Sequence, residues 1–359
     1  MRSVASDLRR LWRTGLPTAT LAAERPAMLC SKRHVLKLSA GLLAGLCAAP
    51  AAWAADYPTK PVALMVPYPA GGLSDNIARA LNVPLGQALG QPTIVENVGG
   101  ASGSIAAQKV MSAPSDGYLV FQGSPNELIL APLTIPSIKY KAEDFRQVHR
   151  IGLAPMAILA RANLPVANGD ELVAYAARVA KEGKPLTYAS VGVGSFYHLL
   201  GGKLSKDLGI PMTHVPYKGG ADALRDLMGG QVDIFITPYG LGQVESIKQG
   251  RIKAVAVLTP QRQRLLPDVP STTESKAMKT FTAEIGTGYF VKRDTPEAVV
   301  QTLHKALQKA MGETKLKASL FAMGQEMSPL QTLAEADQAY RTEITTYQAI
   351  AKQIGLQQP

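Results

Sequence analysis

An α/β fold with mostly parallel strands is predicted by three observations in this 359-residue chain. Short apolar runs alternate with stretches of helical periodicity, the pattern of β-α units in which helices cover a sheet. Turns rich in glycine and serine close several of the apolar runs, as expected where strands hand over to helices. The 305 residues after position 54 can bury a sizeable core and normally divide into two domains.

Residues 1–54 stand apart. Met28–Ala54 has the parts of an export signal: Lys32, Arg33 and Lys37, then sixteen uncharged residues from Leu38 to Trp53, then Ala52-Trp53-Ala54 as a small-x-small cleavage site. The expectation is a cleaved signal peptide and a mature protein starting at Ala55, with Met28 as the candidate start and residues 1–27 as an extension. Ser31–Lys37 resembles a twin-arginine signal with lysine in the first place, so Tat export stands beside the Sec route. Pro50 and the Ala/Gly richness argue against a membrane anchor. Cleavage removes Cys30 and Cys47, the two cysteines of the chain, which excludes thiol catalysis, disulfides and cysteine-held metals. It also removes eight Lys/Arg and two Asp/Glu, leaving 30 against 25, a net charge of +5 in place of +11. No basic run with interleaved aromatics remains, so nucleic acid is not an expected partner.

In chain order, 62–66, 93–96, 118–122, 151–160, 186–189, 232–236 and 254–258 read as strands, being short, apolar and bounded by turn residues. Helical periodicity covers 75–89, 104–111, 169–181, 196–208, 221–228 and 244–249. Ser74 is the expected N-cap of the first helix, and Pro84 is expected to kink or split it. A helical tail at 297–311, 315–322 and 330–354 opens with Asp294-Thr295-Pro296-Glu297, a cap followed by an early proline.

The chemistry is concentrated in the turns. Val66-Pro67-Tyr68-Pro69-Ala70-Gly71-Gly72-Leu73-Ser74-Asp75 reads as strand, glycine turn and helix start, with φ > 0 expected at Gly71 and Gly72. The free N–H groups and dipole of such a helix start can hold a carboxylate without a charged side chain. Similar turns follow at 97–104, 190–195 and 216–222, and Gly123-Ser124 closes the third strand. Several such turns converge at strand ends in open α/β sheets, where ligands bind. Enzyme signatures are thin. There is no GxxxxGK[ST] and no GxSxG, Gly192-x-Gly194 lacks a third glycine, and the mature histidines His149, His198, His214 and His304 are not paired at i,i+4, so neither cofactor nor metal is expected.

These motifs resemble the Bug family, the extracytoplasmic solute receptors of tripartite tricarboxylate transporters. The resemblance is carried by Asp56-Tyr57-Pro58-Thr59-Lys60-Pro61, the VPYPAGGLSD turn, Val95-Glu96-Asn97, Ala113–Tyr118, Tyr188–Ser195 with His198-Leu199, Val215–Gly220, Gly229–Asp233 and Leu266–Pro270, in one order over residues 56–355. It implies a fold like the type II periplasmic binding proteins, two α/β domains closing on a ligand like a Venus flytrap. Domain 1 would hold residues 55–157 plus 281–359, and domain 2 residues 158–280.

The resemblance places Tyr68, Pro69, Ala70, Gly71, Gly72, Leu73, Ser74, Gly123 and Ser124 on one jaw, with Ser190, Gly194, Ser195, His198, Tyr217 and Asp233 on the other. Two departures from the family pattern bear on the ligand: Leu73 replaces a small residue, and Glu127, in Asn126-Glu127-Leu128-Ile129, is expected near the mouth, where it would reject dianions or pair with an amine. The implied function is a periplasmic, monomeric, non-enzymatic receptor that captures an organic acid, amino acid, aromatic acid or amide and delivers it to integral membrane permease subunits. A periplasmic hydrolase or isomerase on the same scaffold is the competing class, signalled by a Ser–His pair such as Ser195 with His198 or His214. A co-receptor used only in signalling is the third.

Overall fold

The computed structural model describes residues 57–353. In chain order its first part runs β1 (Val62–Val66), α1 (Leu73–Leu89), β2 (Thr93–Asn97), α2 (Ser104–Ser112), β3 (Leu119–Gly123), α3 (Ala131–Thr134) and the long β4 (Phe145–Arg161). The middle runs α4 (Gly169–Lys181), β5 (Thr187–Ser190), α5 (Phe196–Leu208), β6 (Thr213–Pro216), α6 (Gly220–Met228), β7 (Ile234–Pro238), α7 (Leu241–Lys248) and β8 (Ile252–Val257). The last part is β9 (Glu284–Lys292), α8 (Glu297–Met311), α9 (Thr314–Ala322), β10 (Glu326–Met327) and α10 (Leu333–Gln353).

The strand order β2-β1-β3-β9-β4-β7-β5-β6 joins two α/β lobes through β4. β1 pairs parallel with β2 and β3 in one lobe, and β5 pairs parallel with β6 and β7 in the other. β4 pairs antiparallel with β9 from Phe145 to Pro155, then antiparallel with β7 and β8 from Met156 onward. Pro155, which has no N–H to donate, stands at the seam where β4 changes partners.

The sheet is thus more mixed than expected, because the antiparallel strands β8, β9 and β10 all attach to β4. β9 escaped the sequence reading because its glycines look like a loop. They are needed for packing: a Cβ on Gly288 would lie 2.7 Å from Gln147 Nε2 and 2.9 Å from the His149 carbonyl. β6, half-exposed and only four residues long, has no pattern of its own and exists by pairing with β5. α1 runs unbroken through Pro84. Its face of Ile77, Leu81 and Leu85 packs with Val62, Leu64, Leu303 and Leu307, and about 1.5–3 kcal/mol per buried side chain outweighs the ~3 kcal/mol cost of an internal proline. Among the described residues no helix is long and apolar enough to cross a membrane. The expected leader and the extension before it lie outside the described residues.

Candidate functional site

A cavity of about 400 Å³ opens at the carboxyl ends of the parallel strands of both lobes. Its lining includes Tyr68–Ser74 after β1, Ser124 and Asn126 after β3, Val191 after β5, Gly219–Asp222 after β6, and Pro238–Gly240 at the end of β7. Ala154, Tyr197, Phe235 and Ile285 supply apolar wall. No Lys, Arg or His lines it, so an anion there would be met by backbone and hydroxyl groups.

The β1–α1 loop is built to present backbone. Gly71 has φ +83°, the left-handed conformation that a Cβ disfavours. Gly72, at φ −81°, is the N-cap residue, so the expected positive φ there and the expected capping by Ser74 are both corrected: the helix begins two residues earlier, at Leu73. Asp75 takes over the closing of the turn. Its Oδ2 accepts from the Gly71 N–H at 2.8 Å and from Arg79 Nε at 2.9 Å. Burial pushes the Asp75 carboxyl up, but the hydrogen bonds from Arg79 and Gly71 outweigh it and hold the group below its ordinary value. From behind, Asn97 Nδ2 donates to the Tyr68 carbonyl at 3.0 Å and Gln122 Nε2 to the Ser74 carbonyl at 2.9 Å, while Tyr289 fixes Gln122. One donor of the turn is spent on Asp75, whereas the first N–H groups of α1 have no acceptor within the helix.

Beside this loop, Glu127 is not at the mouth. It is 1 % exposed, and its carboxylate accepts from Ser124 N–H at 2.6 Å, Ser124 Oγ at 2.9 Å and Tyr68 Oη at 3.2 Å. Burial pushes its pKa up to about 7 despite these bonds. Glu127 therefore clamps Ser124 and Tyr68, two lining residues, into place. Its neighbour Asn126 lines the cavity and accepts from the Phe196 N–H at 2.6 Å, joining the two lobes. Leu73 also lines the cavity while packing toward the α1 core.

The second jaw differs from expectation. Val191 lines the cavity, but Ser190, Gly194, Ser195, His198, Tyr217 and Asp233 do not, nor does Gly123 on the first jaw. Gly123 is a packing glycine, its Cβ position 2.6 Å from Leu128 and 2.8 Å from Phe290. Ser195 caps α5 by accepting from the His198 N–H, and donates to the Gly192 carbonyl at 2.7 Å. Gly194 N–H is taken by His198 Nδ1 at 3.1 Å. Asp233 sits before β7, at the amino end of the strand, where it pairs with Arg161 at 2.7 Å and accepts from Thr187 N–H and Oγ1 at 2.8 Å. Tyr217 packs in the second-lobe core with its hydroxyl toward Asp226.

A Ser–His contact does occur, between Ser190 Oγ and His214 Nε2 at 2.6 Å, in place of the Ser195 pairing considered from sequence. Ser190 is fully buried and neither residue lines the cavity. His214 stacks on His198 with centroids 4.0 Å apart. Burial, then His198, lowers the His214 pKa to about 4, so both rings are neutral packing elements at pH 7. Among the described residues no group of three His, Cys, Asp or Glu is arranged to hold a metal.

Sequence reasoning missed Phe235, Thr237, Tyr239, Gln243 and Gln325 in the lining. Thr237-Pro238-Tyr239-Gly240 is a visible turn after a predicted strand and could have been read with the other turns. Gln325 carries no such signal, because only the tertiary packing of the α9–β10 turn brings it there.

Comparison with known proteins agrees with this fold. The model of the tripartite tricarboxylate transporter family receptor matches residues 77–356. An Agrobacterium vitis protein from the TAR-I ttuE–ttuC′ intergenic region is 33% identical over 306 residues, covering 84% of this chain and 86% of its own. BugT of Bordetella pertussis is 30% identical over 272 residues, 75% of this chain and 81% of its own. Among solved structures, the periplasmic binding protein BugD superposes with a TM-score of 0.77 at 31% identity, covering 84% of this chain and all (100%) of that one. MatC of Rhodopseudomonas palustris with bound malate gives 0.76 at 28% identity over 82% and 99% of the two chains. An R. palustris protein with adipate gives 0.77 at 29% identity over 84% and 99%.

Proposed function

The chain belongs to the tripartite tricarboxylate transporter receptor family, and from that premise we propose that it captures a small carboxylate in the periplasm for uptake by an integral membrane permease, with no catalytic step. The observation that carries this reading is the cavity itself: a preformed helix start with a glycine turn on one wall, apolar surface around it, and no cationic side chain in the lining. Backbone N–H groups at the start of α1 would seat the carboxylate, and ligand bridging both lobes would favour closure. The lobes correspond to residues 55–157 with 281–359 and to 158–280, the receptor acts as a monomer, and residues 28–54 direct export before cleavage. Malate and adipate, bound by two similar proteins, support a carboxylate as the ligand class.

Thermal unfolding of the purified protein against malate, adipate, amino acids, aromatic acids and nicotinamide-like amides tests this. A ligand at a hundredfold its Kd adds about 2.7 kcal/mol and raises Tm by several degrees. A shift with the compound recovered intact is the expected outcome. Consumption of the compound would favour an enzyme, and a shift given only by compounds without a carboxylate would remove the proposed seat.

A further inference from the structure

At the end of the cavity formed by the β7–α7 and α9–β10 turns, two lining residues carry buried polar atoms with nothing to bond. Tyr239 is 1 % exposed and Gln325 2 % exposed, and both line the cavity. The Tyr239 hydroxyl and both amide atoms of Gln325 lack any hydrogen-bond partner. Three orphaned polar atoms on two residues of one wall are costly unless something bonds to them, since a buried unpaired group keeps its desolvation penalty. The backbone is built tightly here. A Cβ on Gly324 would lie 1.7 Å from the Tyr239 carbonyl oxygen, and one on Gly240 2.6 Å from the Ala322 carbonyl. The two turns are pressed together, which fixes Tyr239 and Gln325 relative to each other.

The charge around this wall is acidic. Glu326 follows Gln325 directly, and its charge reaches Tyr239, whose hydroxyl is held protonated first by burial and then by that carboxylate. Glu284 feels the same neighbour: burial, then Glu326, raises its pKa. The lining contains Asp222 and no Lys, Arg or His to offset these groups. A second carboxylate placed against Tyr239 and Gln325 would be desolvated without a counter-charge. An amide or hydroxyl would instead find a donor and an acceptor on Gln325 and a hydroxyl on Tyr239.

We propose that Tyr239 and Gln325 form a second polar subsite that takes an uncharged hydrogen-bonding group, so the ligand is a monocarboxylate ending in an amide or hydroxyl rather than a dicarboxylate. This rests on the reading of the α1 start as the carboxylate seat. Titration calorimetry with adipate, its monoamide and hexanoate separates the two ideas. The monoamide should bind at least about tenfold more tightly than adipate, which corresponds to 1.4 kcal/mol, and Tyr239→Phe and Gln325→Leu should each bring the two ligands toward parity, with a Tm no lower than the parent's reporting intact folding. Adipate binding as tightly as the monoamide, with hexanoate also bound, would overturn the subsite and leave the seat standing. A preference that survives in both folded variants would overturn it as well. Failure of all three acids to bind would remove the carboxylate seat, and the subsite argument with it.

Discussion

The turn at 69–74 and the turn at 190–195 look alike in sequence, each a strand end, small residues with glycines, and a helix start, yet they do different work. The first lines the cavity along its whole length. The second spends its polar groups on itself and on the opposite lobe: Ser190 Oγ accepts from Gly192 N–H at 3.1 Å, and Ser102 Oγ donates to the Val193 carbonyl at 2.7 Å. A Cβ on Gly192 would meet Ser102 Oγ at 2.6 Å, and one on Gly194 would meet Thr134 Oγ1 at 2.0 Å, whereas Gly71 has nothing within 4 Å. Small residues announce a close approach to the backbone. They do not say whether a ligand or the protein's own other lobe approaches.

The largest effect that would test this contrast is at Gly194. Its φ of +77° and the contact with Thr134 mean that Gly194→Val should cost about 3 kcal/mol or more in urea denaturation, strain and overpacking together. Gly71→Ala, with similar φ but open space, should cost about 1 kcal/mol. Equal costs would erase the distinction. Next, Asp233→Ala should lose about 2 kcal/mol from its bonds to Arg161 and Thr187 while ligand affinity stays the same in calorimetry. A large loss of affinity with stability intact would return Asp233 to the site. Ser195→Ala should cost about 1 kcal/mol as a lost helix cap, again read by urea denaturation and without a direct effect on affinity.

The finest test is a slope. Glu127 titrates at about 7 in the folded protein against an ordinary 4.5, so its contribution to stability is full below pH 4.5 and is lost as pH rises toward 7. His149 and His214, lowered to about 4 from 6.5, chiefly by burial, act in the other sense: their contribution is present above pH 6.5 and lost as pH falls toward 4. Glu127→Gln removes the opposing contribution, so Tm should climb more steeply between pH 5 and 7 than in the parent. Parallel Tm curves would mean that Glu127 is ionised throughout.

Much of this molecule is legible in the sequence where local signals and tertiary structure agree. The Val62–Val66 strand, the Gly71 turn and the helix after it carry apolar patterning, conformational freedom and a helix start in one contiguous stretch, and the structure places the turn and the helix start against the cavity. Legibility fails where long-range packing decides. Glu127 reads as a solvent-side acid, but the fold turns it inward to hold Ser124 and Tyr68. Asp233 lies within a resembling motif, yet strand direction puts it at the amino end of β7, away from the loops that line the cavity. Gln325 reaches the wall only because a two-residue strand, β10, pairs with β4.

The shared strand β4 also sets what kind of motion this receptor can make. Lobes tied by a continuous ladder cannot slide past or come apart from each other without breaking sheet hydrogen bonds, so their relative movement reduces to bending and twisting at the seam near Pro155, where the ladder changes partners. A rotation about one seam converts a small angular change into a large displacement at the far rims of the cleft. On the proposed closure, occupancy of the cavity would be written on the outer surface as the angle between two faces, a signal that another protein can read without touching the ligand.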